Sequence, residues 1–454
     1  MIWRYALNKV LMISYPFPPL MKSGSFRPAK FVKYLPQNNW QPIVITVIPT
    51  LNDPMDDTLT KSLPNDLQVI RIHAPHPRPM ERIFDWYKRL RDDDSPQKSQ
   101  NEPASNEDDL SFIARIFRII QKLIITPLSI VQYPPIDHAL YWSLRIIPVA
   151  RKIIIENDVK LVFTTSPPFS SLITGLILKK ITGVPWVADF RDPWTTEKLR
   201  YGSKGWRLSV DRFIERYTLR RANCVIGVTP NWVKDLQHLA GEHHTTNKYF
   251  LITNGYDESD FANRTLPNLE IEPEVRISHI GSMYQGGIEV LLNGLSNIAP
   301  SALSRLRIEL IGYLHPHDLD KLTDANHLEN ISYQPQRITH EQSLDLMRNS
   351  HVLLLSLPFD YFPGKVFEYM RVGRPVLAIA HNSEIAKLIN KSGIGCVVNS
   401  NDSYSLIKIL EQIAFDYEGF KGRYYHPNWE YIHQFERSVL TQKLSTIFNN
   451  ASTN

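Results

Sequence analysis

Two series of short, almost wholly apolar segments constrain the fold of this chain more than any other feature of its sequence. Strands that are apolar on both faces are typical of parallel sheets covered by helices on each side. We therefore predict an α/β chain with two doubly wound domains. The first series reads VLMIS (10–14), PIVITV (42–47), LVFTTS (161–166), WVADF (186–190), VIGVT (225–229) and FLIT (250–253). The second series reads VRISHIG (275–281), LRIELIG (306–312), VLLLSL (352–357), VLAIA (376–380) and GCVV (395–398).

The two series are separated by a polar stretch, NRTLPNLEIEPE, which carries two prolines. A chain of 454 residues is also too long for a single hydrophobic core. We predict an N-terminal domain over 1–262, a linker over 263–274 and a C-terminal domain over 275–428. The remaining segment, 429–454, contains WEYIHQFERSVLTQKLSTIF (429–448), which has the pattern of one amphipathic helix.

Composition and motifs exclude several classes of protein. A net charge of +5 and a pI near 8.9 are too weakly basic to indicate nucleic-acid binding. The sequence has no Walker loop, no G-x-G-x-x-G, no Cys/His cluster with zinc spacing and no apolar run of about 18 residues that would span a membrane. Cys224 and Cys396 lie in apolar runs, so we expect buried free thiols and a reducing cytoplasm.

One stretch of the first domain departs from the alternating pattern. RDDDSPQKSQNEPASNEDD is polar and acidic, so we expect an insert over 91–110 without fixed structure. The following segment, 111–132, interleaves apolar residues with Arg115, Arg118 and Lys122. A basic amphipathic helix of this kind can lie on an anionic membrane surface, but a domain helix with a solvated basic face explains the pattern equally well.

The stretch PGKVFEYMRVGRPVLAIA (363–380) contains the first candidate site. A helix that begins at Gly364 or Lys365 and ends by Gly373 would follow a buried strand. Its N-terminus would therefore lie at the carboxyl edge of the sheet, where open α/β folds bind ligands. Free N–H groups and Lys365 would attract phosphate, and Glu368 could accept hydrogen bonds from sugar hydroxyls. The alternative is an ordinary ion pair between Lys365 and Glu368 on a surface helix.

The same stretch resembles a motif of glycosyltransferase family 4, whose members are retaining enzymes with the GT-B fold. Asp360 precedes Glu368 by eight positions in FDYFPGKVFEYM, and the family has two acidic residues at this spacing. In the family the second acid binds the donor's ribose and the first faces the donor sugar, so the resemblance implies these roles for Glu368 and Asp360. Asp360 stands where the family usually has a glutamate.

Other segments extend the resemblance over almost the whole chain, including SYPFPPLMKSGSFRPAKFVKYL near the N-terminus, Pro167-Pro168 and ITNGYDESDF (252–261). The resemblance implies two Rossmann-like domains that face a cleft. The C-terminal domain would bind the nucleotide sugar and the N-terminal domain would present the acceptor. It also implies that the last helix crosses back to the N-terminal domain.

A second candidate site, VADFRDPWT (187–195), lies at the end of a buried strand. Its three charged residues, Asp189, Arg191 and Asp192, are costly to bury unless they are paired or used. Relatives often have a histidine near the reacting sugar, and this cluster stands in the corresponding region. By the resemblance, one aspartate could accept the acceptor's proton, while Arg191 could steady the phosphate or orient that aspartate. The structural alternative is an ion pair between Asp189 and Arg191.

Two glycine loops complete the predicted donor site. Gly24, after the first strand, could let backbone N–H groups approach the donor or acceptor, although simple turn chemistry would also explain a glycine there. Ser25 could cap the following helix. In the second domain the loop GSMYQGGIE (281–289) lacks the Arg and Lys that many relatives have in this region. We place Gly281 and Tyr284 among the donor contacts and expect the loop's glycines to present N–H groups.

These features lead us to interpret the chain as a nucleotide-sugar-dependent glycosyltransferase, with retention, in polysaccharide or cell-envelope glycan synthesis. Its partners would be the donor and a glycan, lipid-linked or small-molecule acceptor, with peripheral membrane contact through 111–132 and no nucleic acid. We expect a cytoplasmic enzyme with no metal and no cofactor. Two alternatives stay open, namely a nucleotide-sugar 2-epimerase of GT-B architecture and a non-catalytic scaffold that binds sugar or a partner transferase.

Overall fold

A computed structural model of the chain shows two parallel β-sheets, each packed between helices on both faces. This arrangement confirms the predicted α/β class with two doubly wound domains. The predicted insert (91–110) and the basic amphipathic segment (111–132) lie outside the residues that the structure describes. Those residues are 7–74, 136–196, 206–241, 246–262, 265–271, 273–283, 285–325, 328–357, 363–381 and 384–453.

Within these residues the first sheet has seven strands in the order β3-β2-β1-β4-β5-β6-β7. The strands are β1 Asn8–Ile13, β2 Trp40–Val47, β3 Gln68–Ile72, β4 Leu161–Ser166, β5 Trp186–Phe190, β6 Cys224–Gly227 and β7 Tyr249–Leu251. The second sheet, in the same described part of the chain, has six strands in the order β10-β9-β8-β11-β12-β13. These are β8 Val275–Ile280, β9 Leu306–Ile311, β10 Ile331–Gln334, β11 Val352–Leu357, β12 Val376–Ala380 and β13 Gly395–Val398.

The helices alternate with these strands along the chain. Those of the first domain are α1 Ser23–Tyr34, α2 Leu140–Arg145, α3 Ile147–Glu156, α4 Ser170–Thr182, α5 Trp206–Arg221 and α6 Pro230–Ala240. Those of the second domain are α7 Gly287–Ser296, α8 Pro300–Leu303, α9 Pro316–Asp324, α10 His340–Arg348, α11 Lys365–Val372, α12 Glu384–Ser392, α13 Ser403–Phe415 and α14 Tyr417–Tyr424. Where the structure describes the chain, none of its helices is both long and apolar enough to cross a bilayer.

The strand order reverses direction once in each sheet, between β1 and β4 and between β8 and β11. In open parallel sheets the loops that leave the two strands on either side of such a point diverge and open a crevice at the carboxyl edge. Both candidate sites lie near these points, because one follows β5, the neighbour of β4, and the other follows β11. The fold therefore places both sites at carboxyl edges of the sheets.

The C-terminal segment differs from its prediction. The sequence predicted one helix over 429–448, but the structure has two, α15 Trp429–His433 and α16 Arg437–Thr453. The helix is interrupted because the chain pairs there with the end of the first domain, where Tyr256 donates its N–H to the Phe435 carbonyl at 3.2 Å.

The second of these helices, α16, packs on the first sheet. Its apolar residues, among them Leu444 and Phe448, belong to the same buried cluster as β1 and β4. The ring of Phe448 contacts those of Trp40 and Phe163, at centroid distances of 5.3 and 5.6 Å. The C-terminal helix thus contributes to the core of the N-terminal domain. Elsewhere in the core, Cys224 and Cys396 are buried free thiols, as predicted.

Candidate active site

The first candidate site lies on α11, the helix that follows β11 along the chain. The apolar side chains of α11, such as Phe367 and Met370, are buried, so Lys365 and Glu368 share the more open face of the helix. Gly373 ends the helix in the left-handed region, at a φ of +92°. The predicted bounds of this helix are therefore confirmed.

Glu368 is the centre of a cluster of three polar side chains. The Lys365 ammonium lies 2.8 Å from Oε2 of Glu368, and the His340 ring Nε2 lies 3.0 Å from Oε1. Lys365 also donates a hydrogen bond to the hydroxyl of Ser343 at 2.8 Å. The Glu368 side chain is only 16% exposed, so the cluster is not an ordinary ion pair on a solvated helix.

The surroundings of Glu368 also fix its charge. Burial acts to raise the pKa of Glu368, but the charge of Lys365 and the contact with His340 outweigh burial and hold the pKa well below the usual range of a glutamate. Glu368 is therefore an anion that can only accept hydrogen bonds. A carboxylate offers roughly four acceptor positions, so the two protein contacts leave acceptor capacity for ligand hydroxyls.

His340 belongs to this site although the sequence analysis did not select it. It is the first residue of α10, directly after the N-cap Thr339. Its backbone N–H therefore points out of the helix, and it donates to the carboxylate of Asp56 in the first domain at 3.0 Å. Its ring contacts the ring of Phe26 on α1, with centroids 5.1 Å apart. The sequence THEQ indicates only a helix start, so no local signal marked this histidine.

In the second candidate site, Asp189 is fully buried and paired with an arginine that is far from it in the sequence. Arg27 of α1 donates to both carboxylate oxygens, at 3.1 and 2.8 Å, and the Thr165 hydroxyl donates at 2.7 Å. The alternative interpretation, an ion pair between Asp189 and Arg191, is therefore wrong. The catalytic role of Asp189 stays a prediction, but these contacts favour a structural one, since three donors already occupy its oxygens.

Arg191 joins the end of β4 to the first turn of α1 at the carboxyl edge of the first sheet. Its guanidinium donates to the carbonyl of Ser166 at 3.0 Å, to that of Gly24 at 2.8 Å and to that of Pro167. A Cβ at Gly24 would lie 2.6 Å from Nη1 of Arg191. The glycine is thus required by the close approach of the guanidinium, a reason that local sequence could not reveal.

Asp192 differs from its two charged neighbours, because no residue in the described part of the chain donates a hydrogen bond to its carboxylate. Burial raises the pKa of Asp192; nearby Arg191 opposes this effect and Asp189 adds to it. A carboxylate with a raised pKa is a better base toward a hydroxyl proton near neutral pH. Of the three predicted catalytic residues, Asp192 has the most capacity left for a substrate.

The glycine loop after β8 differs from its prediction in the use of its N–H groups. Gly281, at a φ of +135°, donates its N–H to the Ile311 carbonyl at 2.8 Å. Gly286 donates its N–H to the carboxylate of Asp318, also at 2.8 Å. The expectation that both groups face a donor phosphate is therefore wrong, because each is already bonded within the protein. The placing of Gly281 among the donor contacts stays a prediction.

The start of α11 is more open than this loop. A Cβ placed on Gly364 would have the Asn254 side chain as its nearest neighbour, at 3.7 Å, which is ordinary van der Waals contact. A ligand could therefore approach the helix N-terminus closely at Gly364. Tyr284 and Asp360, the other predicted donor contacts, lie outside the described residues. Within the described ranges, no three His, Cys, Asp or Glu side chains are grouped as metal ligands would be.

The first turn of α1 connects the two candidate sites. The Gly24 carbonyl binds Arg191, the Phe26 ring contacts His340, and Arg27 binds Asp189. This turn begins at Ser23, with Lys22 as its N-cap, so the predicted capping by Ser25 does not occur, and the Ser25 hydroxyl is buried without a hydrogen-bond partner among the described residues. One helical turn thus contacts charged residues at the carboxyl edges of both sheets.

Comparisons with known proteins identify the family. Residues 127–246 match the family model described as a glycosyl transferase 4-like domain. Residues 274–416 match the family model described as glycosyl transferases group 1. The two matches together span more than half of the chain.

The chain is a glycosyltransferase, with a 4-like domain followed by a group 1 domain.

Solved structures with the GT-B fold resemble this glycosyltransferase over nearly its full length. HepE from Anabaena, solved in complex with UDP and glucose, is 13% identical with a TM-score of 0.60, covering 98% of this chain and 100% of HepE. Sucrose-phosphate synthase from Thermosynechococcus elongatus is 14% identical with a TM-score of 0.62, covering 98% of each chain. A glycosyltransferase from Rickettsia africae is 17% identical with a TM-score of 0.58, covering 99% and 100%. No curated protein sequence matches the chain. At these identities the likeness shows the GT-B fold.

The glycosyltransferase also has a charged contact between α1 and the end of its first domain that the sequence analysis missed. Lys30 binds both Asp257 and Asp260, each at 2.7 Å, and Lys33 binds Asp257 at 2.8 Å. Asp260 also lies 4.0 Å from the ring of His340. The sequence signal was a row of basic residues on SGSFRPAKFVKY and the acidic run DESD, whose opposite charges could have been paired.

Proposed function

We propose that this glycosyltransferase moves a sugar from a nucleotide-sugar donor to a glycan, lipid-linked or small-molecule acceptor in polysaccharide or cell-envelope glycan synthesis. The bond between the anomeric carbon and the donor diphosphate breaks, and a bond from that carbon to the acceptor oxygen forms. The acceptor hydroxyl gives up its proton, and the diphosphate leaves with the electron pair of the broken bond. Retention of the anomeric configuration rests on the resemblance of FDYFPGKVFEYM to the acidic motif of retaining relatives.

The donor site of this proposal is the cluster on α11. The ribose hydroxyls donate to Glu368, which is ionised and can accept them in its remaining positions. The diphosphate lies at the helix N-terminus near Gly364, where the helix dipole and Lys365 favour negative charge. The same charges stabilise the leaving diphosphate as it develops in the transition state. We expect no metal and no cofactor beyond the donor, since Lys365 supplies positive charge opposite the diphosphate.

The acceptor side of the proposal is the end of β5. Asp192 accepts the proton of the acceptor hydroxyl, because its pKa is raised and no described residue donates a hydrogen bond to its carboxylate. Arg191 positions the loop that carries Asp192 through its three carbonyl contacts.

The single observation that carries the proposal is the contact of one helical turn with both clusters. Through Gly24 and Phe26, α1 binds Arg191 beside the acceptor base and touches His340, the partner of Glu368. The complexes of HepE with UDP and with UDP-glucose support a nucleotide sugar as the class of donor. The proposal includes a lipid-linked acceptor, with peripheral contact of 111–132 at the cytoplasmic face of a membrane.

The proposal is tested by incubating the purified chain with a panel of nucleotide sugars, with and without acceptor extracts, and following nucleoside diphosphate release and product mass. We expect one donor to give acceptor-dependent release, and the product's anomeric proton coupling to match that of the donor. A changed coupling would overturn retention. Conversion of a donor into its epimer would indicate the 2-epimerase alternative instead. Binding of a donor without any turnover would indicate the non-catalytic scaffold.

A further inference from the structure

Helix α5 has its polar and apolar faces reversed relative to an ordinary surface helix. Its inward face carries two buried carboxylates, Asp211 and Glu215. Its outward face carries a row of four large apolar side chains, spaced four, three and four residues apart. These are Trp206, Val210, Phe213 and Tyr217, which are 55%, 37%, 71% and 41% exposed. A surface helix normally buries its apolar stripe and exposes its charges, so packing within the described part of the chain does not account for this outward row.

The inward face and the C-terminal end of α5 make hydrogen bonds to other parts of the domain. Asp211 accepts the backbone N–H of Ile136 at 3.1 Å, and Glu215 accepts both the N–H and the hydroxyl of Thr195. At the C-terminal end, the ammonium of Lys248 donates to three main-chain carbonyls, at 2.7, 3.0 and 3.2 Å. These contacts fix the orientation of α5 and leave its outward row exposed.

Arginines flank the apolar row on both sides. At 3.6 residues per turn the four apolar side chains span about 60° of the helix circumference. Arg221 borders one edge, with its guanidinium 5.3 Å from the ring centre of Tyr217, and Arg216 and Arg220 border the other, all three being exposed. A narrow aromatic stripe between arginines is typical of helices that lie in the interface of an anionic bilayer.

We propose that the outward face of α5, defined by Trp206, Val210, Phe213 and Tyr217, docks the enzyme on an anionic lipid bilayer. A second copy of the chain fits this face less well, because pairing two such helices would bring arginine rows of like charge together. A bilayer with anionic headgroups meets both features at once, since the aromatic side chains enter the interface and the arginines reach the phosphates.

The position of α5 also suits this role. Because β5 and β6 are parallel, α5 runs back across the sheet and begins at the carboxyl edge, the edge that carries Asp192. Docking through the first turns of α5, at Trp206, would therefore bring the bilayer to the side of the domain where the acceptor enters. The inference goes beyond the proposed transfer and does not depend on it, because bilayer binding and sugar transfer are measured separately.

The test is flotation of the purified full-length chain with vesicles of phosphatidylcholine alone or of equal parts phosphatidylcholine and phosphatidylglycerol. We expect wild type to float only with the anionic vesicles and to be released in part by salt. The triple change Trp206→Ser, Phe213→Ser and Tyr217→Ser should lower the partition constant by at least about tenfold. The double change Arg216→Glu and Arg221→Glu should lower it by at least about twentyfold, since each basic residue contributes roughly fivefold.

Matched controls distinguish binding through this face from non-specific binding by exposed aromatic side chains. They also distinguish it from binding through the basic segment 111–132. The double change Tyr404→Ser and Phe415→Ser removes two aromatic side chains on α13. They are 67% and 54% exposed, similar to the aromatic residues of the α5 face, and their removal should leave flotation unchanged. All variants should keep the wild-type melting temperature and transfer to a soluble acceptor. The proposal is overturned if the α5 variants float like wild type while Arg115→Glu, Arg118→Glu and Lys122→Glu together abolish flotation. It is also overturned if wild type ignores anionic vesicles, or if it forms a dimer that the triple change on α5 dissociates.

Discussion

Two groups of charged residues were predicted as sites because each lies near the end of a buried strand, one at the end of β5 and the other on α11 after β11. The structure shows that the protein uses them differently. At the end of β5, Asp189 is paired with Arg27, and just after the strand the guanidinium of Arg191 donates to backbone carbonyls, all within or beside the core. On α11, Glu368 and Lys365 are paired with each other and remain partly open to solvent. Charge at a strand end therefore marks a carboxyl edge but does not distinguish a catalytic group from a structural one.

The difference follows from what each cluster has available as a partner. The first sheet lies against α1, which supplies Arg27 and the Gly24 carbonyl at short range in space. Among the described residues, the α11 cluster receives contacts from His340 and from the hydroxyl of Ser343, both on α10. A group whose hydrogen bonds are filled by the protein stabilises the fold, and a group with unfilled positions is the better candidate for binding a ligand.

The largest effect expected is on stability, from Asp189→Asn. The change leaves Arg27 as a buried charge without its counter-ion, which should lower the free energy of unfolding by about 3–5 kcal/mol. Urea unfolding followed by circular dichroism measures this loss. The control is Asp158→Asn, at an aspartate whose side chain is 82% exposed, which should have little effect. If Asp189→Asn keeps the wild-type stability and loses turnover instead, the two clusters are alike and Asp189 is catalytic.

Asp192→Asn should instead lower turnover and leave stability unchanged. We expect turnover to fall by about a hundredfold or more, because the acceptor proton loses its base, while the melting temperature stays near that of wild type. Steady-state kinetics with the identified donor and acceptor, paired with thermal unfolding, separates the two outcomes. A near-normal rate in this variant would move the catalytic base elsewhere and leave the β5 cluster purely structural.

The pH dependence of stability sharpens the comparison further. Burial raises the pKa of Glu215, which holds Thr195 in the loop after Asp192, from 4.5 to about 7. The folded state therefore binds a proton more tightly than the unfolded state, so the contribution of Glu215 is full below pH 4.5 and is lost as the pH rises through about 7.

In Glu215→Gln, we expect the difference between the unfolding free energies at pH 5 and at pH 8 to be smaller than in wild type by roughly 2 kcal/mol. This follows from the shift of the Glu215 pKa, because one pKa unit corresponds to about 1.4 kcal/mol. Denaturant titrations at the two pH values measure it. Glu156→Gln, at a glutamate that is 58% exposed, is the control. An unchanged pH slope in Glu215→Gln would show that the loop is not held by this protonation.

The sequence predicted the central strands well because complete burial leaves a continuous apolar run, as in β4, β5 and β11. It missed β3 and β10, one edge strand of each sheet, because QVIRI and ISYQ are only partly buried and carry polar residues. The bounds of α11 were predictable because Gly373 has a local conformational reason to end the helix.

The site was less predictable, because its decisive contacts join residues far apart in the chain. Arg27 and Asp189 are separated by 162 positions, and no local pattern indicates that one neutralises the other. The role of His340 depends on the packing of α10 beside α11 and on Asp56 in the other domain. Local motifs identified the strand ends where chemistry is expected, and only the fold shows which charges are already paired.

The measurement that tests the central claim most directly is calorimetric titration of the nucleoside, its diphosphate and the nucleotide sugar into three proteins: wild type, Glu368→Gln and Lys365→Ala. We predict that Glu368→Gln weakens binding of all three ligands by roughly 1–3 kcal/mol, because each carries the ribose. Lys365→Ala should weaken the diphosphate and the nucleotide sugar more than the bare nucleoside. If both variants bind the true donor as tightly as wild type, the cluster on α11 is not the donor site.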